Sequence, residues 1–314
     1  MTALGIDLGG TKIQAVVLDG DTVVGTARAR TPTADGDAVV AELARCAAEA
    51  LREAGRDLAG IVGVGVGTPG AIDPATGVVS SASNVAGFEQ SYPLRERLSA
   101  ALGGLQATVT NDVTAAVLGE HRHGAGRPYD DLIGVFVGTG VGGGLVLGGE
   151  LRTGRGSAGE IGHAVVQDRG RPCPCGRLGC LEAYAGRRAL ERTARELMEQ
   201  GEHTSLFDVM RVKGRDRATS SVFKTALGDG DPVVTRLIGE ATWALGVAIA
   251  SAQNLLDVDA VIIGGGLADK LGPSFVEAVA GELAPRLFGP PPAVLPSALG
   301  DLSGAIGAAA SVGG

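Results

Sequence analysis

Three thiols and one imidazole fall within eighteen residues of this chain: His163, Cys173, Cys175 and Cys180. Only four cysteines occur in all 314 residues, so this crowding does not follow from composition. Soft thiolates with one imidazole at such spacing suit a tetrahedral Zn²⁺ site of the Cys₃His type. The Cys-x-Cys pair is cramped for a disulfide, and an odd thiol would be left over. Four protein ligands leave no open coordination position, so the metal is expected to be structural rather than a Lewis acid. Glu160, His163 and Glu182 flank the loop. A metal-bound imidazole has its second ring N–H fixed in direction. It can donate to a ligand while the two carboxylates accept from hydroxyls. That combination suits a polyol; solvated surface charge is the plainer account of the glutamates.

Glycine supplies the second kind of site. Strand-like apolar runs end at Gly9-Gly10-Thr11-Lys12, at Gly138 to Gly144 and at Gly264-Gly265-Gly266. Without a Cβ, backbone N–H groups at such junctions can approach an anion closely. One such turn is ordinarily just a tight hairpin. Three at corresponding points favour one extended polyphosphate ligand, of which ATP is the simplest. Neither G-x-x-x-x-G-K-[ST] nor a helix-opening G-x-G-x-x-G occurs at these points, which disfavours P-loop and Rossmann sites. Asn111-Asp112 closes a strand and opens a helix, where open α/β folds place functional groups. Helix capping alone would account for one of these two residues.

The elements that must position these groups are legible in outline. Ala3–Leu8, Ile13–Leu18 and Thr22–Ala27 read as strands, with a turn at Asp19-Gly20. Val39, Val40, Leu43, Cys46, Ala47, Ala50 and Leu51 recur at helical spacing, with Gly55 just beyond. Strands are expected at Ile61–Val66 and Ala107–Thr110, then a helix from Asp112 to about Glu120. Shifting the sequence by 129 residues lays Leu4-Gly5-Ile6 on Ile133-Gly134-Val135 and Gly9 on Gly138. The same shift lays Val16-Val17-Leu18 on Leu145-Val146-Leu147 and Asp21 on Glu150, a register held over some 18 positions. The unit is therefore read as duplicated, with Asp7 of the first copy facing Phe136 in the second. The strongest helix starts at Asp231-Pro232, and Val258–Ile263 forms a third strand-to-glycine junction.

Composition narrows the class further. With 45% hydrophobic and 20% charged residues the chain is globular, and its length suggests about two domains. Aromatics are only 3%, so aliphatic side chains and alanine must fill the core. A net charge of −8 argues against nucleic acid as a partner. The uncharged run Leu132 to Gly149 is long enough to raise a membrane span, but eight of its 18 residues are glycine. It reads as strand, turn, strand, and no membrane partner is expected. Asp7 interrupts any secretory signal, and the chain reads as cytoplasmic. His121 and His123 read as surface residues without a role.

Together, Leu8-Gly9-Gly10-Thr11-Lys12, Gly138 to Gly144, Glu160-Ile161-Gly162-His163 and Cys173-x-Cys175-x₄-Cys180-x-Glu182 resemble the ROK family of bacterial glucokinases, related sugar kinases and sugar-responsive repressors. The resemblance implies an α/β architecture of the actin-like ATPase (ribonuclease H-like) fold, with two related domains and ATP and hexose meeting in the cleft between them. Residues 1–111 plus about 300–314 would form one domain, and 112–299, with the zinc loop, the other. The nearest likeness is to glucokinases, implying phosphoryl transfer from MgATP to the 6-hydroxyl of glucose with Asp112 as base. Asn111, Glu160, His163 and Glu182 match sugar ligands, and Gly70, Ser83 and Asn84 fall where the other domain touches the sugar. Gly10, Thr11, Lys12, Thr139 and Gly140 match phosphate contacts, Gly265 and Gly266 lie near the nucleoside, and Asp7 matches the Mg²⁺-associated carboxylate. His163, Cys173, Cys175 and Cys180 match the ligands of one structural Zn²⁺. The family also implies a homo-oligomer, dimer or tetramer. Kinases for mannose, fructose or N-acetylmannosamine share these site residues. A repressor would carry a helix-turn-helix segment before the first strand, which here begins at Ala3.

Overall fold

The computed structural model describes residues 1–82 and 84–312. Contacts divide the chain into two compact units. The first holds Met1–Pro128, Gly149–Ala158 and the chain from Asp301; the second holds Tyr129–Gly148 and Gly159–Gly300. The first unit thus runs past the division after residue 111 drawn from the sequence. The physical reason is the packing of the helix Asp112–His123, described below.

Five strands build the first unit's main sheet: β1 (Thr2–Leu8), β2 (Lys12–Asp19), β3 (Thr22–Arg30), β4 (Val64–Thr68) and, after a short hairpin of β5 (Ala71–Ile72) and β6 (Val79–Ser80), β7 (Ala107–Asn111). Their order is β3-β2-β1-β4-β7. β1 and β2 run antiparallel, whereas β1, β4 and β7 are parallel, with Asp7 opposite Gly67 and Thr68 opposite Asn111. β4 starts later than Ile61 because Leu58–Gly60 is a short 3₁₀ turn capped by Asp57. The helix Gly36–Ala54 buries the apolar stripe its spacing required, including Cys46. Asp35 caps it, accepting from the Ala38 N–H at 2.8 Å, and Gly55 ends it at φ 63°.

The C-terminal helix Ser303–Ala310 lies directly on this sheet. A Cβ at Gly65 would collide with the Ala308 carbonyl, and one at Gly307 with the Ala115 carbonyl of helix Asp112–His123. Helix rests on strand and on helix almost backbone to backbone. That contact binds Asp112–His123 into the first unit.

In the second unit β8 (Leu132–Val137) and β9 (Val141–Leu147) form an antiparallel hairpin. The run Leu132 to Gly149 is thus strand, turn, strand, as read from its glycines. β10 (Glu150–Arg152) follows in the chain, and β11 (Ala260–Gly264) and β12 (Ala293–Pro296) come much later. β11 lies parallel between β8 and β12. The order β9-β8-β11-β12 repeats β2-β1-β4-β7 with the same directions, which establishes the duplication. The register is not unbroken, however. Leu8 pairs with Ile13 across a four-residue turn, but Val137 pairs with Val141 across three. The second turn is one residue shorter, so equivalence shifts by one along β9; without that shift every side chain beyond the turn would change face.

Helix Pro232–Leu256 begins as expected, with the Asp231 carboxylate accepting from the Val234 N–H at 2.8 Å. It is long and apolar enough to cross a membrane, yet Val234, Leu237, Leu245 and Ile249 lie in the second unit's core.

Gly65→Val should destabilise the protein by about 3 kcal/mol or more, since neither backbone segment can recede from the added methyls. Gly60→Ala, at a site with open space, should leave the denaturation midpoint within about 0.5 kcal/mol of wild type. Denaturant titration of both variants checks the contrast.

Candidate functional site

In the first unit the candidate residues collect at the C-terminal ends of the parallel strands. Asp7 is the penultimate residue of β1, and Asp112 follows the last residue of β7. Asn111 caps the helix that follows: its Oδ1 accepts from Val113 N at 3.0 Å and Thr114 N at 3.2 Å, while Asp112 Oδ1 accepts from Val113 N at 2.9 Å. Capping therefore uses the carbonyl end of Asn111 and leaves its amide nitrogen for other partners. The turn after β1 is closed by Gly9 N donating to Lys12 O at 2.9 Å, and Thr31 Oγ1 donates to Gly9 O at 2.6 Å. Among the described residues the Gly10 and Thr11 N–H groups have no protein acceptor. Asn84 lies against Gly10, where an added Cβ would meet its carbonyl oxygen at 2.6 Å and its Nδ2 at 3.0 Å. Gly70, at φ 100°, packs on Ser80 and Ala82. Ser83 lies outside the described residues.

One residue here gave no sequence signal. Asp301, from the far end of the chain, pairs with Lys12 at 3.5 Å and Arg28 at 3.3 Å. No motif marks it, because its role depends on where helix Ser303–Ala310 is seated. Burial pushes the Asp7 carboxyl up to about 7, the Asp112 and Asp301 charges add to the rise, and Lys12 opposes it. Acidic charge gathered around a carboxylate in this way is an environment that a bound cation relieves. His121 and His123 are half-buried rather than on the surface, and His123 Nδ1 lies 3.3 Å from Asp21 Oδ1.

In the second unit two glycine segments adjoin. Gly264 pairs with Phe136, and Gly265, at φ 90°, leaves no room for a Cβ against the Val137 backbone. Gly138 N donates to Gly140 O at 2.9 Å, and among the described residues the Thr139 and Gly140 N–H groups have no protein acceptor. Glu182 is tied to this turn: its Oε2 accepts from Val141 N at 2.9 Å and rests against Gly140. Glu160 and His163 share one 3₁₀ turn, with His163 N donating to Glu160 O at 3.0 Å. Glu160 is exposed and His163 half-buried.

The ligand atoms of His163, Cys173, Cys175 and Cys180 all lie within 4.8 Å of one another. Cys175 Sγ is 3.7 Å from Cys180 Sγ, and His163 Nδ1 is 3.8 Å from Cys173 Sγ. A tetrahedron with metal–sulfur bonds of about 2.3 Å has edges of about 3.8 Å. The donor set and its spacing therefore fit zinc. Because Nδ1 faces the thiols, Nε2 is the nitrogen left for a ligand. The Arg177 side chain beside it pulls the Cys175 thiol down to about 6, while burial pushes Cys173 up to about 12. The loop is anchored by Tyr184, whose hydroxyl accepts from Arg171 N at 3.1 Å and whose ring lies 4.8 Å beneath the Arg171 guanidinium.

Residues 3–313 match the profile of the ROK family. The chain belongs to the ROK family. A glucokinase of Streptomyces coelicolor is 34% identical, over 98% of this chain and 96% of its own. An N-acetylmannosamine kinase of Salmonella paratyphi A is 30% identical, over 86% of this chain and 85% of its own. The structure of a ROK glucokinase from Streptomyces griseus, in complex with glucose and AMPPNP, superposes with a TM-score of 0.84 at 33% identity, covering 99% of both chains. This ROK chain accordingly has the actin-like ATPase fold.

Asp7 yields a pH prediction. A carboxyl whose folded pKa is raised from 3.8 to about 7 supports the fold fully below about pH 4, and that support is lost as pH rises through 7. Asp7→Asn, which never ionises, should therefore gain stability over wild type between pH 4 and 7. In chelator-treated protein the gain should level off above pH 7 at up to about 3 kcal/mol, partial solvent access reducing it; thermal melts against pH test this. For the thiol cluster, wild-type protein should carry one zinc per chain by elemental analysis. Cys180→Ala should carry less than about a tenth of that and melt earlier, because loss of a ligand removes the cross-link.

Proposed function

We propose that this chain is a glucokinase, transferring the terminal phosphoryl group of ATP to the 6-hydroxyl of glucose. The observation that carries the reading is the grouping at the strand ends of the first unit. There a carboxylate at Asp112, a cation-seeking carboxylate at Asp7 and the open N–H groups beside Lys12 stand at the same end of the sheet, where its parallel strands finish. A phosphoryl-transfer site needs a group to orient the attacking hydroxyl and positive charge for the phosphoryl oxygens, and little covalent chemistry beyond that.

In this reading Asp112 accepts the proton of the 6-hydroxyl as its oxygen attacks phosphorus in line. A carboxylate is a weak base for an alcohol, so the proton moves late and orientation is the larger part of its contribution. Asn111 serves the sugar through its amide nitrogen. Glu160 and Glu182 accept from sugar hydroxyls and His163 Nε2 donates to them, while Gly70, Ser83 and Asn84 complete the hexose contacts. Gly10, Thr11, Lys12, Thr139 and Gly140 hold the phosphates by N–H groups and charge, and Gly265 and Gly266 border the nucleoside. Asp7 holds Mg²⁺, which when bound offsets charge on the phosphoryl oxygens. His163, Cys173, Cys175 and Cys180 hold Zn²⁺, which when bound fixes the imidazole's direction.

Kinship with an N-acetylmannosamine kinase favours a second reading, in which the acceptor is another hexose or N-acetylhexosamine: mannose, fructose or N-acetylmannosamine. A coupled assay of ADP release across these sugars and glucose decides between them. Glucose should give the highest kcat/KM, by about tenfold or more; a higher value with N-acetylmannosamine overturns the glucokinase assignment. Asp112→Asn should lower kcat by about 100-fold to 10,000-fold and leave the glucose dissociation constant within about twofold, measured calorimetrically. Turnover near wild type removes Asp112 from the mechanism.

A further inference from the structure

The start of helix Arg187–Glu199 stands against the second glycine turn. Arg187 N donates to Gly138 O at 3.0 Å and Arg188 N to Thr139 O at 3.1 Å. The Arg187 side chain then comes back to the same turn. Its Nη2 donates to Thr139 Oγ1 at 3.0 Å, and its Nη1 to Ser220 Oγ at 3.2 Å. Ser220 opens helix Ser220–Gly228, and its hydroxyl lies 3.9 Å from where a Cβ on Gly266 would stand. One guanidinium thus bridges the turn at Thr139 and the helix start facing Gly266.

Arg45 and Arg236 each pair with a carboxylate, whereas the half-buried Arg95 donates to the Ala75 and Pro74 carbonyls. Arg187 is half-buried, and among the described residues no carboxylate lies within 4 Å of it. Both of its side-chain partners are neutral hydroxyls. Burial and the adjacent Arg188 both disfavour its charge, and Glu191 offsets this only in part. A partly desolvated cation without a counter-ion is costly, and a guanidinium has five donors in a fork that matches phosphate oxygens. Only two of its contacts are to protein side chains, and the hydroxyl at one of them belongs to a turn whose N–H groups are open.

We propose that Arg187 is a nucleotide-binding residue, donating from its guanidinium to a phosphoryl oxygen of the nucleotide held at Thr139 and Gly140. This rests on the kinase reading and adds to it a cation that no motif marks. The rival account is mechanical: Arg187 merely braces the turn through Thr139 and Ser220.

Arg187→Gln separates the two, because it keeps hydrogen bonding to the hydroxyls but removes the charge, and Arg187→Lys keeps the charge without the fork. Binding of Mg-AMPPNP and of adenosine is measured for wild type and both variants. Arg187→Gln should bind Mg-AMPPNP about 30-fold more weakly, with adenosine and glucose affinities within twofold of wild type and an unchanged melting temperature. Arg187→Lys should recover part of the loss. Undiminished AMPPNP binding in Arg187→Gln overturns the inference, and so does a parallel loss of adenosine binding or a lowered melting temperature, which mark a brace. A wild-type protein that binds no AMPPNP overturns the kinase reading and this inference together, whereas retained binding in both variants overturns the inference alone.

Discussion

The first unit is organised by one close contact: helix Ser303–Ala310 pressed onto the backbones of β1, β4 and helix Asp112–His123. Residues with no bulk line both sides, so the gain is close packing over main-chain atoms rather than burial of large side chains. Three consequences for chemistry follow. Asp112 is held at the head of a helix that cannot shift without opening this contact. Gly304 comes against the Asp7 carboxylate, where an added Cβ would stand 3.0 Å from its carboxyl carbon. Asp301, just ahead of the helix, reaches Lys12. The acidic crowding that raises Asp7 is therefore a product of packing remote in sequence.

The second unit solves a different problem by a different route. The segment from Gly159 to Gly179 has little regular structure, and its polar turns bury little apolar surface. With a metal ion bound, the four ligand atoms converging within 4.8 Å would cross-link such a loop. The imidazole's Nδ1 faces that cluster. Glu182, two residues beyond Cys180, carries the same rigidity to the glycine turn through Val141 N. Thiol loop and glycine turn are thereby one connected piece of the second unit.

Duplication explains why both units begin with a strand, glycine turn and strand, and divergence explains why they differ. The first turn has four residues and carries Lys12; the second has three and is backed by Arg187 from a helix far along the chain. Asp7 occupies the place that Phe136 takes in the second copy. Both copies present open N–H groups; the first adds acid and lysine, the second a guanidinium that among the described residues has no carboxylate partner.

Much of this was legible in the chain itself. Local rules gave the helical stripe Val39–Leu51 with Gly55 just beyond, the Asp231-Pro232 start, the strand–turn–strand reading of Leu132 to Gly149, and the crowding of His163 with three cysteines. Each depends on residues a few positions apart, where periodicity and backbone preference act directly. Family likeness supplied the roles proposed for Asp112 and the glycine turns. Sequence alone misplaced the division at residue 111, missed the one-residue shortening of the second turn, and set His121 and His123 on the surface. It gave no sign of Asp301 beside Lys12 or of Arg187 at Thr139. Apart from the turn's length, set between Val137 and Val141, those facts rest on contacts between segments about 40 to 290 residues apart, and such contacts arise only when helices and strands find their packing partners. A side chain's type states what it can bond; the packed backbone decides which partner comes within reach.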